Sequence, residues 1–316
     1  MRYFNAQSNL EAYLRLSRAA GDEWLAAIED VLSPAVYGCY LSNPQGVVGS
    51  MSVLEVDAGT VCVLELCQGM ELTCCRLQRP LVVWSVTGEC NLTLHGAAGL
   101  SLYPLAVIPA NSEFTLSAGD GSRLILVLPM NCLPQRRPCH KSSLAIASEI
   151  QRFMLMSGYL QDHQHACRVA RDLFLRIDDL LARPVANACE DIPELDRRLV
   201  RVIEKIQSEP QWEFDLAELA KHAGVSERNL YYLMRRETGL TPYRYYQRCR
   251  LIRVRRRLVD CQCDVPHISW YAADEGFTHL GRFAALYRAH FGELPSETVQ
   301  WRRSLQARDQ GFAELA

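Results

Sequence analysis

Between residues 226 and 288 the chain carries 12 basic side chains, all of them arginine, against six acidic ones. Arginine presents a planar fork of donors that matches phosphate oxygens and the O6/N7 edge of guanine, so the excess points to a polyanion. Two segments in this region, LAELAKHAGVSERNLYYLMRR and ISWYAADEGFTHLGRFAALYR, share one plan. Each has a short apolar stretch with a small residue (Ala220, Ala272), then a glycine turn (Gly224, Gly276), then Ser or Thr before a longer helical stretch. Small residues let two helices cross closely and the glycine turns the chain between them, which is helix-turn-helix geometry. In the first unit, inward Leu230, Leu233 and Met234 leave Glu227, Arg228, Tyr231, Tyr232 and Arg235 on the outer face. In the second, inward Phe283, Leu286 and Tyr287 leave Leu280, Gly281, Arg282, Ala284 and Ala285 outside. Only Arg282 there has directional donors, so that helix is expected to read shape and methyl groups. Thr278 and His279, at its start, suit a phosphate; an ordinary exposed histidine is the alternative for His279.

These motifs, with TPYRYYQRCRLIRVRRRL between them and EGFTHLGRFAALYRAHFGELPSET closing the second unit, resemble the AraC/XylS family of bacterial transcription regulators over residues about 195–302. The closing segment is similar to the XylS-type branch. The resemblance covers about a third of the chain. It implies two helix-turn-helix units set by one linker helix, with double-stranded promoter DNA, RNA polymerase and a second copy of the chain as partners, and activation rather than repression. Matched to the family's contact positions, Arg228, Tyr231 and Tyr232 fall on base edges, although both tyrosines could instead pack against the linker helix. Val254 stands where the family usually has Ala, and Tyr271 where it usually has Ile. The seven arginines of the linker segment (244, 248, 250, 253, 255, 256 and 257) do not share one face. Some are expected to pair with Glu237 or Asp260 and a few to reach phosphates, which would make binding salt-dependent.

The elements that must position these residues differ along the chain. Val-, Leu- and Thr-rich runs over about 47–130, broken by Gly, Pro and Asn, predict antiparallel strands in a cupin-like or jelly-roll barrel. Ser8 and Glu11 read as a capping box for an opening helix carrying Leu10, Tyr13, Leu14 and Leu16, and Asp22 as the cap of a second helix ending near Leu32. Two amphipathic helices are expected at 142–156 and 164–182, to pack on the barrel, on each other or on a second copy. The fold class is therefore α+β. By the resemblance, residues 1–182 are expected to sense an effector or dimerise, with 183–193 as a linker, 194–303 as an all-α DNA-binding domain and 304–316 as a tail.

Composition narrows the function classes. Of 316 residues, 34 are basic and 36 acidic, yet residues 1–190 carry 14 and 18 while 191–316 carry 20 and 18. No run suits a membrane span, the first residues do not read as a signal peptide, and 13 scattered cysteines read as reduced thiols, so a cytoplasmic protein is expected. Phosphate-loop, dinucleotide and zinc-hydrolase motifs are absent, and His95 is the single histidine of the strand region, so no catalytic residue, metal or cofactor is assigned. The protein is read as no enzyme. Two other readings stay open: redox sensing by Cys74-Cys75 or Cys139, and a DNA-repair methyl acceptor at Cys139, which follows Pro138 beside Arg136, Arg137 and Lys141. If the XylS-type resemblance extends upstream, it implies a small aromatic or other organic acid at the barrel mouth; its carboxylate would want an arginine, and Arg76, Arg79 and Arg123 are the candidates, with Trp84, Val86, Leu94 and Tyr103 as apolar lining. Each is equally consistent with surface charge or core.

Overall fold

The computed structural model describes residues 10–32, 38–95, 104–130, 139–182, 196–261, 263 and 267–313, with side chains to residue 305. A single 3-10 turn (Glu11–Tyr13) leads into β1 (Leu14–Ala19), followed by helix α1 (Gly21–Leu32). The strands then run β2 (Gly38–Leu41), β3 (Gly49–Val56), β4 (Gly59–Leu66), β5 (Met70–Arg76), β6 (Leu81–Thr87), β7 (Cys90–Leu94), β8 (Ala106–Ile108), β9 (Glu113–Ala118) and β10 (Arg123–Pro129). They form two antiparallel sheets, ordered β1-β3-β4-β10-β6-β8 and β2-β5-β9-β7. Side chains alternate across a strand, so one sheet has two destinations for its apolar residues. Leu64, Leu124 and Leu126 meet Leu72, Phe114 and Leu116 of the other sheet, whereas Val61, Val63, Ile125 and Val127 face the opposite way. Helix α1 completes the inner core with Trp24, fully buried, whose indole Nε1 donates to Met70 Sδ at 3.1 Å.

The barrel thus takes in residues well before 47. The opening segment is a strand where the capping box predicts a helix. Leu14 and Leu16 alternate with Arg15 and pair with β3, and burial against the sheet outweighs the local helical signal. Ser8 itself lies outside the described residues.

Helices α2 (His140–Ser157) and α3 (His163–Ala182) cover the outer face of the six-stranded sheet, through Ile146, Ile150, Phe153, Phe174 and Ile177. The expected linker lies outside the described residues. Beyond it come α4 (Arg197–Ser208), α5 (Leu216–Ala223), α6 (Glu227–Thr238), α7 (Pro242–Val259), α8 (Ile268–Asp274), α9 (Leu280–Phe291) and α10 (Pro295–Ala313). Leu199, Leu219, Leu230, Met234 and Tyr245 give α4–α6 and the first half of α7 their own core. The second half of α7 with α8 and α9 has none to itself: Leu251, Val254, Leu258, Phe283 and Tyr287 join the cluster that holds α2 and α3 to the sheet. Helix α10 occupies much of the expected tail. Trp301 and Leu305 reach the barrel core, and Arg302 grips Glu23 of α1 with two bonds of 2.8 and 2.7 Å.

Candidate nucleic-acid interface

Local chemistry shapes both units. The Asp215 carboxylate accepts from the Glu218 amide at 3.0 Å, the Ser226 hydroxyl from Asn229 and the Thr241 hydroxyl from Arg244, so α5, α6 and α7 each start on a side-chain cap. Gly224 and Gly276 have φ of +72° and +73°, the left-handed conformation that only glycine adopts without strain, and each turns the chain from the first helix of its unit into the second. Ala220 and Ala272 are buried at the crossings.

On α6 the outer face is as the spacing predicts. Arg228 is exposed, with its guanidinium carbon 5.7 Å from the Tyr232 ring centroid, and Tyr231 and Tyr232 are 43% and 58% exposed, meeting edge to face. Neither tyrosine is packed away beneath the linker helix. Arg235 is exposed too, but its Nη1 donates to the Gly239 carbonyl at 3.2 Å and closes the helix end, which removes one donor from a ligand. On α9, Leu280, Gly281 and Arg282 are exposed, and a methyl group at Gly281 would meet nothing within 4 Å. Thr278 and His279 are exposed at the helix start, and His279 takes the cap position without a side-chain cap bond. The first-turn amides of α9 therefore point to solvent with the positive end of the helix dipole, an arrangement that suits phosphate. Among the described residues neither Arg228 nor Arg282 has a carboxylate partner.

Most of the linker-helix arginines are engaged within the protein. Arg248, 5% exposed, donates to the Ser157 and Leu160 carbonyls at 3.0 and 3.1 Å. Arg255, 1% exposed, meets Glu293 at 2.8 Å and donates to the Leu14 carbonyl at 3.2 Å. Burial raises the Glu293 carboxyl, but Arg255 and Arg15 outweigh it and hold the group below its ordinary range. Arg253 pairs with Glu275, Arg257 with Asp274 and Arg256 with Glu11, while Arg250 stacks on Phe277 and Tyr246. The carboxylates used are not Glu237 or Asp260, because the partners come from across the tertiary structure. Only Arg244, among these seven, is exposed without an ion pair among the described residues. Helix α8 also carries Trp270, 60% exposed and stacked on Tyr271 with ring centroids 6.3 Å apart, a residue that the helix-turn-helix spacing alone does not single out.

The barrel candidates do not converge. Arg76 pairs with Glu113 at one end of the two central strands of the four-stranded sheet, and Arg79 lies half-buried against Met130. Arg123 and Trp84 belong to the outer face of the six-stranded sheet, where Arg123 lies 3.6 Å from Glu65 and Trp84 packs with Val86 beside the helix layer. Leu94 is core, and Tyr103 lies outside the described residues. The reason is the strand register, which sends Trp84 and Arg123 away from a barrel interior already filled by apolar side chains. Cys75 is buried and Cys74 exposed, so the adjacent pair is split between faces. Cys139 is exposed at the start of α2, its thiol lowered by hydrogen bonding to Ser142.

Residues 219–301 match a family described as "Helix-turn-helix domain". Over 103 residues the chain is 40% identical to "XylDLEGF operon transcriptional activator 3" of Pseudomonas putida, covering 33% of this chain and 31% of that one. It is likewise 40% identical over 99 residues to "XylDLEGF operon transcriptional activator 2" of the same species, covering 31% and 63%. A solved structure titled as a probable AraC family transcriptional regulator from Rhodopseudomonas palustris CGA009 aligns at 30% identity with a TM-score of 0.31, covering 33% of this chain and 96% of that one. The matched stretch spans less than two thirds of these curated relatives' own length.

Proposed function

The C-terminal third of this chain is a helix-turn-helix domain of the AraC/XylS type, and on that premise we propose that the protein is a sequence-specific DNA-binding regulator that activates transcription. One observation carries the reading: two exposed helix faces, each with an arginine that has no carboxylate partner among the described residues, are carried by a single helix. Helix α7 has 18 residues, a length of about 27 Å at 1.5 Å per residue. Two recognition helices on such a strut suit successive major-groove faces about one helical turn (~34 Å) apart. Arg228, Tyr231 and Tyr232 contact base edges, Arg282 and the start of α9 contact the next groove and its phosphates, and Arg235 plays a lesser part. The partners are promoter DNA, RNA polymerase and a second copy of the chain, in the cytoplasm. The relatives' printed roles as operon activators support activation.

Control by a small organic effector fits the junction better than the barrel interior. A cleft of about 190 Å³ between β1, β3, α3 and the end of α9 is lined by Tyr13, Arg15, His163, Phe291 and Glu293. An occupant there would touch both the sensing part and the second unit. The test is selection of bound genomic fragments with the full-length protein, followed by footprinting. Paired protected elements one turn apart, weakened by Arg228→Ala, are the expected outcome. Diffuse binding with no preferred fragment would overturn the reading.

A further inference from the structure

Three neighbouring strands of the four-stranded sheet each place one metal-binding side chain on its outer face. They are Cys74 of β5, Glu113 of β9 and His95 directly after β7, and one ligand atom from each lies within 4.8 Å of the other two. Sheet geometry explains the meeting. Leu72 pairs with Leu116 but Cys75 pairs with Phe114, so β5 holds one extra residue against β9. This bulge, with Cys74 at φ +51°, turns Cys75 into the core and Cys74 out. A bulge re-aims a side chain in this way at the cost of a left-handed conformation unusual for a residue other than glycine. The His95 amide donates to the Glu113 carbonyl at 3.0 Å, which continues the pairing of β7 with β9 and sets the imidazole beside the carboxylate.

From this arrangement we propose that Cys74, His95 and Glu113 bind a divalent transition-metal ion of the zinc class. The donor set is sulfur, nitrogen and oxygen, all of which zinc accepts. The His95 Nδ1 and Glu113 Oε1 atoms are 3.7 Å apart, too long for a hydrogen bond. Zinc–nitrogen and zinc–oxygen bonds of about 2.0–2.2 Å span a tetrahedral edge of about 3.3–3.5 Å, so the two atoms need to close by only a few tenths of an ångström to share one ion. Arg76 holds the other carboxylate oxygen, Oε2, at 3.1 Å and so orients Oε1 toward the site. On binding, Cys74 releases its thiol proton to solvent as the sulfur–metal bond forms. Thiolate and carboxylate then balance the charge of the ion, and a fourth position stays open for water or an external ligand. The single histidine of the strand region argues only against a His-rich set; a sheet can supply the remaining donors as sulfur and oxygen.

Cobalt(II) is the probe, titrated into reduced full-length protein. One equivalent should give thiolate-to-cobalt charge-transfer absorption that zinc displaces. The absorption should vanish in Cys74→Ser, and affinity should fall at least about tenfold in His95→Ala and Glu113→Gln. Cys139→Ser should titrate as the wild type. An independent readout needs no variant: zinc should slow iodoacetamide alkylation of Cys74, followed by mass spectrometry, while leaving the exposed Cys139 unaffected. No absorption at one equivalent, an unchanged titration in Cys74→Ser, undiminished affinity in both other variants, or alkylation of Cys74 indifferent to zinc would each overturn the site.

Discussion

Arg302 and Glu23, 279 positions apart in the chain, form a two-bond ion pair that is almost wholly buried, with side chains 5% and 8% exposed. The remaining Arg302 Nη1 donates to the Val259 carbonyl at 2.9 Å, at the end of the linker helix. One guanidinium therefore ties the first helix of the chain, the linker helix and the last helix together.

Removing one partner leaves the other charged and buried, which costs about 3–5 kcal/mol. Glu23→Gln and Arg302→Met should each lower the thermal midpoint and the denaturant midpoint accordingly. The paired replacement Glu23→Leu with Arg302→Met should recover most of the loss. A single variant that melts like the wild type would show that the pair does not hold the ends together.

Arg228→Ala should cost about 1–3 kcal/mol on the selected DNA site and little on random DNA of equal length. Competition titrations against both DNAs measure the ratio. Equal losses on the two would remove Arg228 from the base edges.

Salt dependence separates the arginines of the linker helix. Arg244→Ala should lower the slope of log affinity against log salt by about one. Arg256→Ala, at an exposed pair with Glu11, should leave that slope unchanged and alter stability by under about 1 kcal/mol. Arg255→Met should instead unfold the junction, visible as a lowered melting midpoint.

Gly281 sits in the first turn of α9 with open space around it. Gly281→Ala should stabilise the protein by up to about 1 kcal/mol, because alanine loses less backbone freedom on folding. If α9 docks closely on DNA, the same methyl group should weaken binding. Higher stability with unchanged affinity would place α9 away from the groove.

His290 is buried beside Arg248, and burial first, then that positive charge, pushes its pKa down to about 3. The native imidazole stays neutral where the unfolded one takes a proton. Stability from this residue is therefore complete above the ordinary value of 6.5 and falls as pH drops below it, by up to about 1.4 kcal/mol per unit. Urea midpoints measured from pH 7.5 to 5 should decline more steeply for the wild type than for His290→Phe.

The exposed faces of α6 and α9 were legible because their determinants are local. The caps at Asp215, Ser226 and Thr241, the left-handed glycines at 224 and 276 and the inward Leu230, Met234, Phe283 and Tyr287 all act within a few residues, so their spacing alone sets which side chains face out. The strands from 49 to 129 were equally plain in their apolar alternation. The opening strand was not, because Leu10, Tyr13 and Leu14 keep helical spacing while Leu14 and Leu16 alternate as in a strand, and only pairing with β3 decides. Helix α10 hid for a related reason: its buried residues include Arg302 beside Val299 and Leu305, and an arginine in a core stripe reads as surface until its carboxylate is known.

What the sequence determined by itself was thus which side chains the two second helices expose and the antiparallel strand character of residues about 47–130, since short-range periodicity and turn chemistry dictate both. Only the tertiary structure decided where charge is spent. An arginine carries the same fork of donors whether it meets a phosphate or a buried carboxylate, and the partner can lie hundreds of positions away, as Glu23 does for Arg302 and Leu14 for Arg255. The same holds for Cys74, His95 and Glu113, which strand pairing and one bulge bring within reach of a single ion.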